Sequence, residues 1–235
     1  MYPLVTIGPI RLSTYGLGVL LAVFVWWTWS ERRLVSQHIP VPDWLFPVII
    51  AAAWLGGRLG ALQYDGVGSV LQQLISVRVF EYAWWSALTS ALVVGWISAR
   101  RLAVATPSFW GALVVPTSVA YGLVTTAAQL GGTALGVATT LPWAIDSLGM
   151  LRHPVGWYSA VLVWGGAVWL WRSTLPPVQL LWRAVMIAAA NELLTAGFRA
   201  DSWALPGGLH PEQILGLVVF VVAQERAMMQ HHGTE

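Results

Sequence analysis

The stretch FWGALVVPTSVAYGLVTTAA, residues 109–128, decides the fold of this chain, because it has no charged side chain over a length that crosses a membrane as one helix. Similar apolar runs recur along the 235 residues. The chain is 57% hydrophobic and 9% charged, with a mean hydropathy of +0.67. Soluble domains carry about 25% charged residues. The composition therefore predicts that lipid is the solvent for most of the surface.

The apolar runs predict an all-α integral membrane protein that forms a single domain over residues 1–235. Seven transmembrane helices are predicted at about residues 12–30, 44–62, 83–99, 109–128, 155–171, 178–198 and 209–223. Residues 67–80 alternate apolar and polar positions at helical spacing, which predicts an amphipathic interfacial helix. Residues 129–151 are rich in Gly and Thr and predict a short, irregular external segment.

Arginines predict the orientation of these spans. Seven fall on one side and four on the other, and the first group contains the pairs Arg32-Arg33 and Arg100-Arg101. Cytoplasmic loops carry an excess of positive charge, so the N-terminus is predicted outside and the C-terminus in the cytoplasm. Many of the 16 Trp residues lie at predicted span ends, which is typical of aromatic belts at the two membrane surfaces.

Charge and cysteine content narrow the function. The net charge is only +2, so no nucleic-acid partner is predicted, and the absence of Cys excludes disulfides and thiolate chemistry. All 12 basic residues are Arg, whose guanidinium pairs well with phosphate, although codon usage also explains this bias. No metal-ligand cluster or Ser-His-Asp pattern is recognisable, so neither a metal nor a cofactor is predicted.

Among the charged residues inside predicted spans, two lie deep enough to be functional candidates, because charge is costly there. Arg58 stands among glycines in the second span. It either binds an anionic lipid headgroup, pairs with a carboxylate such as Glu192 or Asp65, or reaches the interface. Glu192 follows Asn191 in the sixth span and either faces a polar cavity or holds an arginine in place.

The segment before the fifth span holds further candidates. Arg152 and His153 precede Pro154, and His can act as an acid or base near neutral pH, although a lone interfacial His also serves as a polar anchor. Gln129 leads the glycine-rich residues 130–133, whose backbone N–H groups could cradle a phosphate.

Several short motifs, in collinear order over nearly the whole chain, resemble those of the prolipoprotein diacylglyceryl transferase family. The matching stretches are Ile7-Gly8-Pro9, Thr14-Tyr15-Gly16-Leu17, Arg32-Arg33, Gly56-Gly57-Arg58-Leu59-Gly60, Arg78-Val79-Phe80, Arg100-Arg101, Pro142-Trp143-Ala144, Arg152-His153-Pro154 with Tyr158, and Glu212-Gln213-Ile214-Leu215. The resemblance implies a multi-pass protein of the bacterial cytoplasmic (inner) membrane. It also implies transfer of the diacylglyceryl group of phosphatidylglycerol to the lipobox cysteine of a lipoprotein precursor.

The motifs that carry the family's chemistry differ in this chain. Ala87 stands where the family has a catalytic His, and residues 129–132 read Gln-Leu-Gly-Gly where the family has Arg-Leu-Gly-Asn. In the sixth span Glu192 and Ala196 align with an Arg and a Glu of the family, and only Arg199 is kept. The catalytic groups are therefore unknown, with His153 and Glu192 as candidates.

The resemblance implies a lipid-binding cleft formed by Tyr15, Arg58, Gln129, Arg152 and Arg199. The first hypothesis is a diverged, catalytically impaired member that binds an anionic phospholipid such as phosphatidylglycerol. Such a protein would serve as a structural or accessory subunit beside other membrane subunits. The alternatives are an active transferase with relocated catalytic residues and a lipid transporter that uses the same cleft.

Overall fold

A computed structural model describes residues 4–7, 10–65, 83–147 and 149–232. Within these ranges the chain forms seven α-helices: α1 Thr14–Ser36, α2 Leu45–Asp65, α3 Trp84–Arg101, α4 Thr106–Leu130, α5 Val155–Arg172, α6 Pro177–Thr195 and α7 Pro211–His232. Each predicted span overlaps one of these helices, so the prediction of a mainly helical chain is confirmed. The predicted interfacial helix at residues 67–80 lies outside the described residues.

Helix α1 ends in a turn that requires an unusual backbone conformation. His38 has a φ of 58°, and Ala103, after α3, has a φ of 54°. This left-handed region costs a non-glycine residue about 1 kcal/mol. The turn after α1 lets the N–H of Ile39 donate to the carbonyl oxygen of Leu34 at 2.9 Å, which satisfies a carbonyl that the helix leaves unpaired.

Four short strands accompany the helices in the parts of the chain that the structure describes. Strands β1 (Leu4–Ile7) and β2 (Ile10–Ser13) pair antiparallel before α1. Strands β3 (Ile145–Ser147) and β4 (Met150–Arg152) pair antiparallel within the segment that the sequence predicts to be irregular. This segment therefore contains more regular backbone pairing than its glycine and threonine content indicates.

The described residues divide into two compact units. The first comprises those of residues 1–30 and 110–235, and the second is residues 31–109. In the first unit α6 packs against α5 and α7, and in the second unit α2 packs against α3. The prediction of a single domain stays a prediction, because this division does not test whether either unit folds without the other.

Small residues allow the two helices of the second unit to approach closely. A Cβ added at Gly56 would collide with the side chain of Ser90, and one added at Gly60 would collide with Ser86. Glycine and serine at such spacing are typical of tightly packed helices in membranes. Gly56 and Gly60, on either side of Arg58, are therefore explained by helix packing.

The first unit has an apolar interior and an apolar exterior. Val114 and Val115 of α4 pack with Leu170 of α5 and Leu180 of α6 in a buried cluster. Large apolar side chains also stand on the outside, with Val161 71% exposed. Extended apolar surface of this kind favours contact with lipid.

One helix in the described part of the chain, α4, is long and apolar enough to cross a membrane by length and composition. The stretch Leu45–Ala61 of α2 is apolar but shorter. The seven-span arrangement, with the N-terminus outside, stays a prediction.

Candidate functional site

Backbone hydrogen bonds bring distant parts of the first unit together at the ends of α4 and α6. The N–H of Val137 donates to the carbonyl of Phe198 at 2.9 Å, and the N–H of His153 donates to the carbonyl of Val137 at 3.1 Å. The segment after α4 therefore lies between the start of α5 and the residues that follow α6. This pairing places Arg152, His153 and Arg199 at the same end of the unit.

Gln129, at the end of α4, joins this helix to α5. Its side chain is buried, and Oε1 accepts a hydrogen bond from the N–H of Gly156 at 2.8 Å. A Cβ at Gly156 would lie 2.6 Å from the Cβ of Gln129, so glycine is needed for this approach. The Nε2 atom of Gln129 is buried and has no hydrogen-bond partner among the described residues. Its predicted role in lipid binding stays a prediction.

In the glycine-rich turn after Gln129, the backbone N–H groups already form hydrogen bonds. Those of residues 131–135 donate to backbone carbonyl oxygens of residues 127–133. A phosphate cradle requires N–H groups that point outward, and these are already bonded. Tyr15 is buried beside this turn, since a Cβ at Gly131 would lie 2.9 Å from the Cβ of Tyr15.

Arg152 lies at the end of β4, where its guanidinium bonds to backbone. Nη1 donates to the carbonyl oxygen of Gly136 at 2.9 Å. Nε is buried, and in the described part of the chain it has no partner and Arg152 forms no ion pair. A partly buried cation without a counter-charge is costly, so this site favours an anion.

His153 is held by a group of aromatic side chains. Its Nδ1 lies 3.3 Å from the hydroxyl of Tyr158, which accepts a hydrogen bond from Nε1 of Trp143 at 2.8 Å. The ring of Phe198 lies 4.9 Å from the imidazole, centroid to centroid. These contacts fix the orientation of the imidazole, which suits both a polar anchor and a general base.

Glu192 forms the ion pair that one of the sequence interpretations expects. Its Oε2 lies 3.4 Å from Nη1 of Arg199, seven residues further along the chain. Its Oε1 accepts from the hydroxyl of Tyr121 at 3.4 Å, and that hydroxyl accepts from Nδ2 of Asn191 at 2.9 Å. Glu192 therefore belongs to a polar group that joins α4 to α6.

Arg199 contacts a second carboxylate on its other side. Nε donates to Oδ1 of Asp201 at 3.1 Å and Nη2 donates to Oδ2 at 3.0 Å. This bidentate bond lowers the pKa of Asp201, although partial burial acts in the opposite direction. Whether Glu192 is ionised or protonated, the three side chains together carry no net positive charge at neutral pH.

Two other positions of interest belong to the second unit. Arg58 is 4% exposed on α2, and its predicted lipid contact stays a prediction. Ala87, at the position where the resemblance expects a histidine, is 4% exposed on α3. The structure thus brings Tyr15, Gln129, Arg152 and Arg199 into one unit and Arg58 into the other.

Sequence reasoning missed three residues of this site. Tyr121, Phe198 and Asp201 contact predicted residues but were not predicted. Tyr121 could have been identified from the sequence, because it carries a hydroxyl group inside a predicted span. Asp201 could also have been identified, because it is a carboxylate two residues after Arg199.

A mainly helical chain with large exposed apolar side chains and a partly buried group of ionisable side chains has the features of a helical membrane protein. The family model of prolipoprotein diacylglyceryl transferase matches residues 3–228. The chain belongs to this family, and the resemblance of its motifs is confirmed.

Curated relatives carry the name phosphatidylglycerol–prolipoprotein diacylglyceryl transferase. The chain is 30% identical over 190 residues to the one from Nitratidesulfovibrio vulgaris (strain DSM 19637 / Miyazaki F), and the matched region covers 74% of this chain and 71% of the relative. It is 27% identical over 176 residues to the one from Mesorhizobium japonicum, which covers 68% of this chain and 61% of the relative. For the one from Rhodococcus jostii, the identity is 24% over 170 residues, with coverages of 68% and 46%.

Proposed function

We propose that this chain binds an anionic phospholipid, with phosphatidylglycerol as the first candidate, and that its diacylglyceryl transfer activity is lost or greatly slowed. The relatives are named for phosphatidylglycerol, which supports this choice of lipid. The observation that carries the proposal is the difference between the bonding partners of two arginines. Arg199 is bonded to two carboxylates, whereas within the described ranges the guanidinium of Arg152 is bonded to a backbone carbonyl and to no carboxylate.

Arg152 is the proposed phosphate ligand. Its guanidinium has donors beyond the one that bonds Gly136, and a phosphate would supply both a counter-charge and acceptors. The bond to Gly136 holds the side chain in place, so binding requires little further ordering. Gln129 and Tyr15 remain proposed neighbours of the lipid, because the amide nitrogen of Gln129 has no partner among the residues that the structure describes and Tyr15 lies beside the same turn.

Impaired catalysis follows from the chemistry that transfer requires. The thiol of the acceptor cysteine must lose its proton to a base, and cationic donors must stabilise the glycerol phosphate that leaves. In this chain Arg199 donates to Glu192 and Asp201, so its charge is already offset. Loss of one such stabilising group typically slows the reaction by about 10²–10³-fold.

An active transferase with relocated groups is the second candidate function. The orientation of His153 by Tyr158, itself bonded to Trp143, favours this alternative. In it, His153 would accept the thiol proton, and Glu192 would either assist that transfer or position Arg199.

A transfer assay separates these two candidates. Purified protein is mixed with phosphatidylglycerol and a lipobox peptide, and the thioether product is followed by mass spectrometry. The relative from Nitratidesulfovibrio vulgaris serves as the positive control. We expect no product, with phospholipid still bound to the purified protein. Product that disappears in His153→Ala, Glu192→Ala or Arg58→Ala would overturn the proposal and assign those residues to catalysis.

The structural or accessory role is the broadest part of the proposal. A family member that binds lipid without transferring it can still contribute a helical surface to a membrane complex. Purification of the tagged chain in mild detergent, followed by mass spectrometry of co-purified proteins, tests this role. We expect a partner retained at constant stoichiometry, and recovery of the chain alone under several mild detergents would contradict the role.

A further inference from the structure

Ser202, His210 and Glu212 form a hydrogen-bonded group at the start of α7, outside the site described above. Oγ of Ser202 lies 2.8 Å from Nδ1 of His210 and 2.8 Å from Oε2 of Glu212. The outer two residues are ten positions apart, so the turn between α6 and α7 brings the group together. All three residues are partly buried. A histidine in contact with a hydroxyl and a carboxylate has the components of a general-base site.

The single proton of the Ser202 hydroxyl decides the form of the imidazole. A carboxylate has no proton, so Oγ donates its proton to Oε2 of Glu212. The contact between Oγ and the imidazole then requires Nδ1 of His210 to be the donor. A neutral His210 therefore carries its proton on Nδ1, and Nε2 has the lone pair that can accept a proton.

Nε2 of His210 is available to a ligand. It has no hydrogen-bond partner within the described residues, and it is not one of the buried polar atoms that lack a partner there. The backbone of His210 is held in place, because its N–H donates to Oε1 of Gln213 at 3.1 Å. Nε2 of Gln213 in turn donates to the carbonyl oxygen of Leu193 in α6 at 3.3 Å. An imidazole that is oriented at one nitrogen and accessible at the other suits a general base.

Exposed apolar side chains adjoin this group in the chain. Trp203 is 63% exposed and Leu209 is 56% exposed, and each is next in sequence to a member of the group. A Cβ at Gly207 would meet no atom within 4 Å, so the turn between them leaves open space. Apolar surface beside a proton acceptor favours a substrate that carries an apolar chain.

We propose that His210 is the general base of a second activity, the hydrolysis of carboxylic esters that carry a fatty-acyl chain. Nε2 takes a proton from a water molecule, whose oxygen forms a bond with the ester carbonyl carbon. The bond between that carbon and the alcohol oxygen breaks, and the leaving oxygen takes the proton from Nε2. The products are a fatty acid and an alcohol, and the imidazole is neutral again. Ser202 and Glu212 are positioning residues that keep the ring proton on Nδ1.

The test follows the release of nitrophenolate from p-nitrophenyl octanoate by the full chain in detergent micelles. We expect hydrolysis above that in micelles alone, and a protein-dependent rate about 100-fold lower in His210→Asn, as expected for loss of a general base. Asn is favoured immediately before a helix, so this variant retains the start of α7. No hydrolysis above micelles alone, or an unchanged rate in His210→Asn, would overturn the proposal.

His38→Asn is the matched control for this substitution. His38 is exposed in the second unit, and Asn tolerates its left-handed backbone. We expect the rate of ester hydrolysis to be unchanged in this variant. An equal loss in His38→Asn and His210→Asn would mean that the rate does not depend on the imidazole at position 210, and would overturn the proposal.

Two variants of Ser202 separate positioning from folding. Ser202→Ala removes the link between the imidazole and the carboxylate, and should lower the rate about fivefold, as expected for one hydrogen bond. Ser202→Thr keeps the hydroxyl and should restore most of the rate. Equal losses in the two variants would overturn the proposed link. Phosphatidylglycerol binding, proposed at Arg152, should be the same in all these variants, so failure of the esterase test leaves the proposed function untouched.

Discussion

Arg152 and Arg199 lie at the same end of the first unit, yet their surroundings differ. Arg199 donates to Glu192 on one side and to Asp201 on the other. Arg152 donates to the carbonyl of Gly136 and forms no ion pair within the described part of the chain. One arginine is compensated within the protein, and the other is positioned without a counter-charge.

The difference teaches that residue type alone does not identify an anion-binding cation. A guanidinium that already bonds two carboxylates gains little from a phosphate, because those bonds must be replaced. A guanidinium held by a neutral carbonyl keeps its full charge for a ligand. We therefore expect Arg199 to act mainly on stability and Arg152 mainly on lipid binding.

The largest expected effect is on stability in Arg199→Gln. This change leaves the partly buried carboxylate of Glu192 without its cation, so we expect a loss of about 2 kcal/mol in the free energy of unfolding, reduced from the fully buried case by solvent exposure. Thermal unfolding in detergent measures it. Arg152→Gln is the comparison, with an expected loss of at most about 1 kcal/mol from one hydrogen bond. A greater loss in Arg152→Gln than in Arg199→Gln would reverse our assignment.

The next effect concerns affinity for phosphatidylglycerol. Arg152→Gln removes the proposed phosphate ligand and should weaken binding about tenfold, as expected for a hydrogen bond to a charged group. Arg199→Gln should change binding less than about threefold by the same scale. Native mass spectrometry with phosphatidylglycerol and phosphatidylcholine measures this selectivity.

Arg172→Gln is the matched control for this binding experiment. Arg172 is exposed at the opposite end of α5, whose first residue is Val155. The Arg172→Gln substitution changes the net charge of the protein by the same amount as Arg152→Gln. Equal weakening in both variants would mean that lipid responds to overall charge and not to a site.

A smaller effect measures the ion pair itself. In a double-mutant cycle that combines Glu192→Gln with Arg199→Gln, we expect a coupling of about 1 kcal/mol, since the two groups are in contact and partly shielded from water. Unfolding of the four proteins under one set of detergent conditions supplies the data. A coupling near zero would show that the 3.4 Å contact contributes nothing to stability.

The smallest effect depends on pH. The bond to Arg199 lowers the pKa of Asp201 in the folded state, so this carboxylate stabilises the fold above its unfolded pKa of about 3.9. That stabilisation is lost as the pH falls through the lower folded-state value. Compared with Asp201→Asn, the unsubstituted protein should be more stable at pH 6, and the gap should close below about pH 4.

Because the side chain of Asp201 is 69% exposed, the gap at pH 6 should be under about 1 kcal/mol. Melting temperatures at several pH values measure it. A gap that widens on acidification would mean that the folded state raises the pKa of this carboxyl group.

The helices could be predicted from sequence because a long apolar run is a local signal. The strands could not, since β3 and β4 have three residues each, too few to show a period of two. Gln129 and Arg152 could be chosen as polar residues near span ends. The partner of Glu192 could not be identified, because α6 and the turn after it decide which arginine reaches the carboxylate.

The packing around position 87 determines what a histidine there would cost. Ala87 is almost fully buried, and its neighbour Ser86 packs where Gly60 has no side chain. A substitution of Ala87 by histidine, the residue that the resemblance expects here, would overpack this region at a cost of about 1–3 kcal/mol. It would confer no catalytic benefit until other groups also changed. If the proposed function holds, the tight packing at this one position therefore opposes the first step towards a restored catalytic histidine.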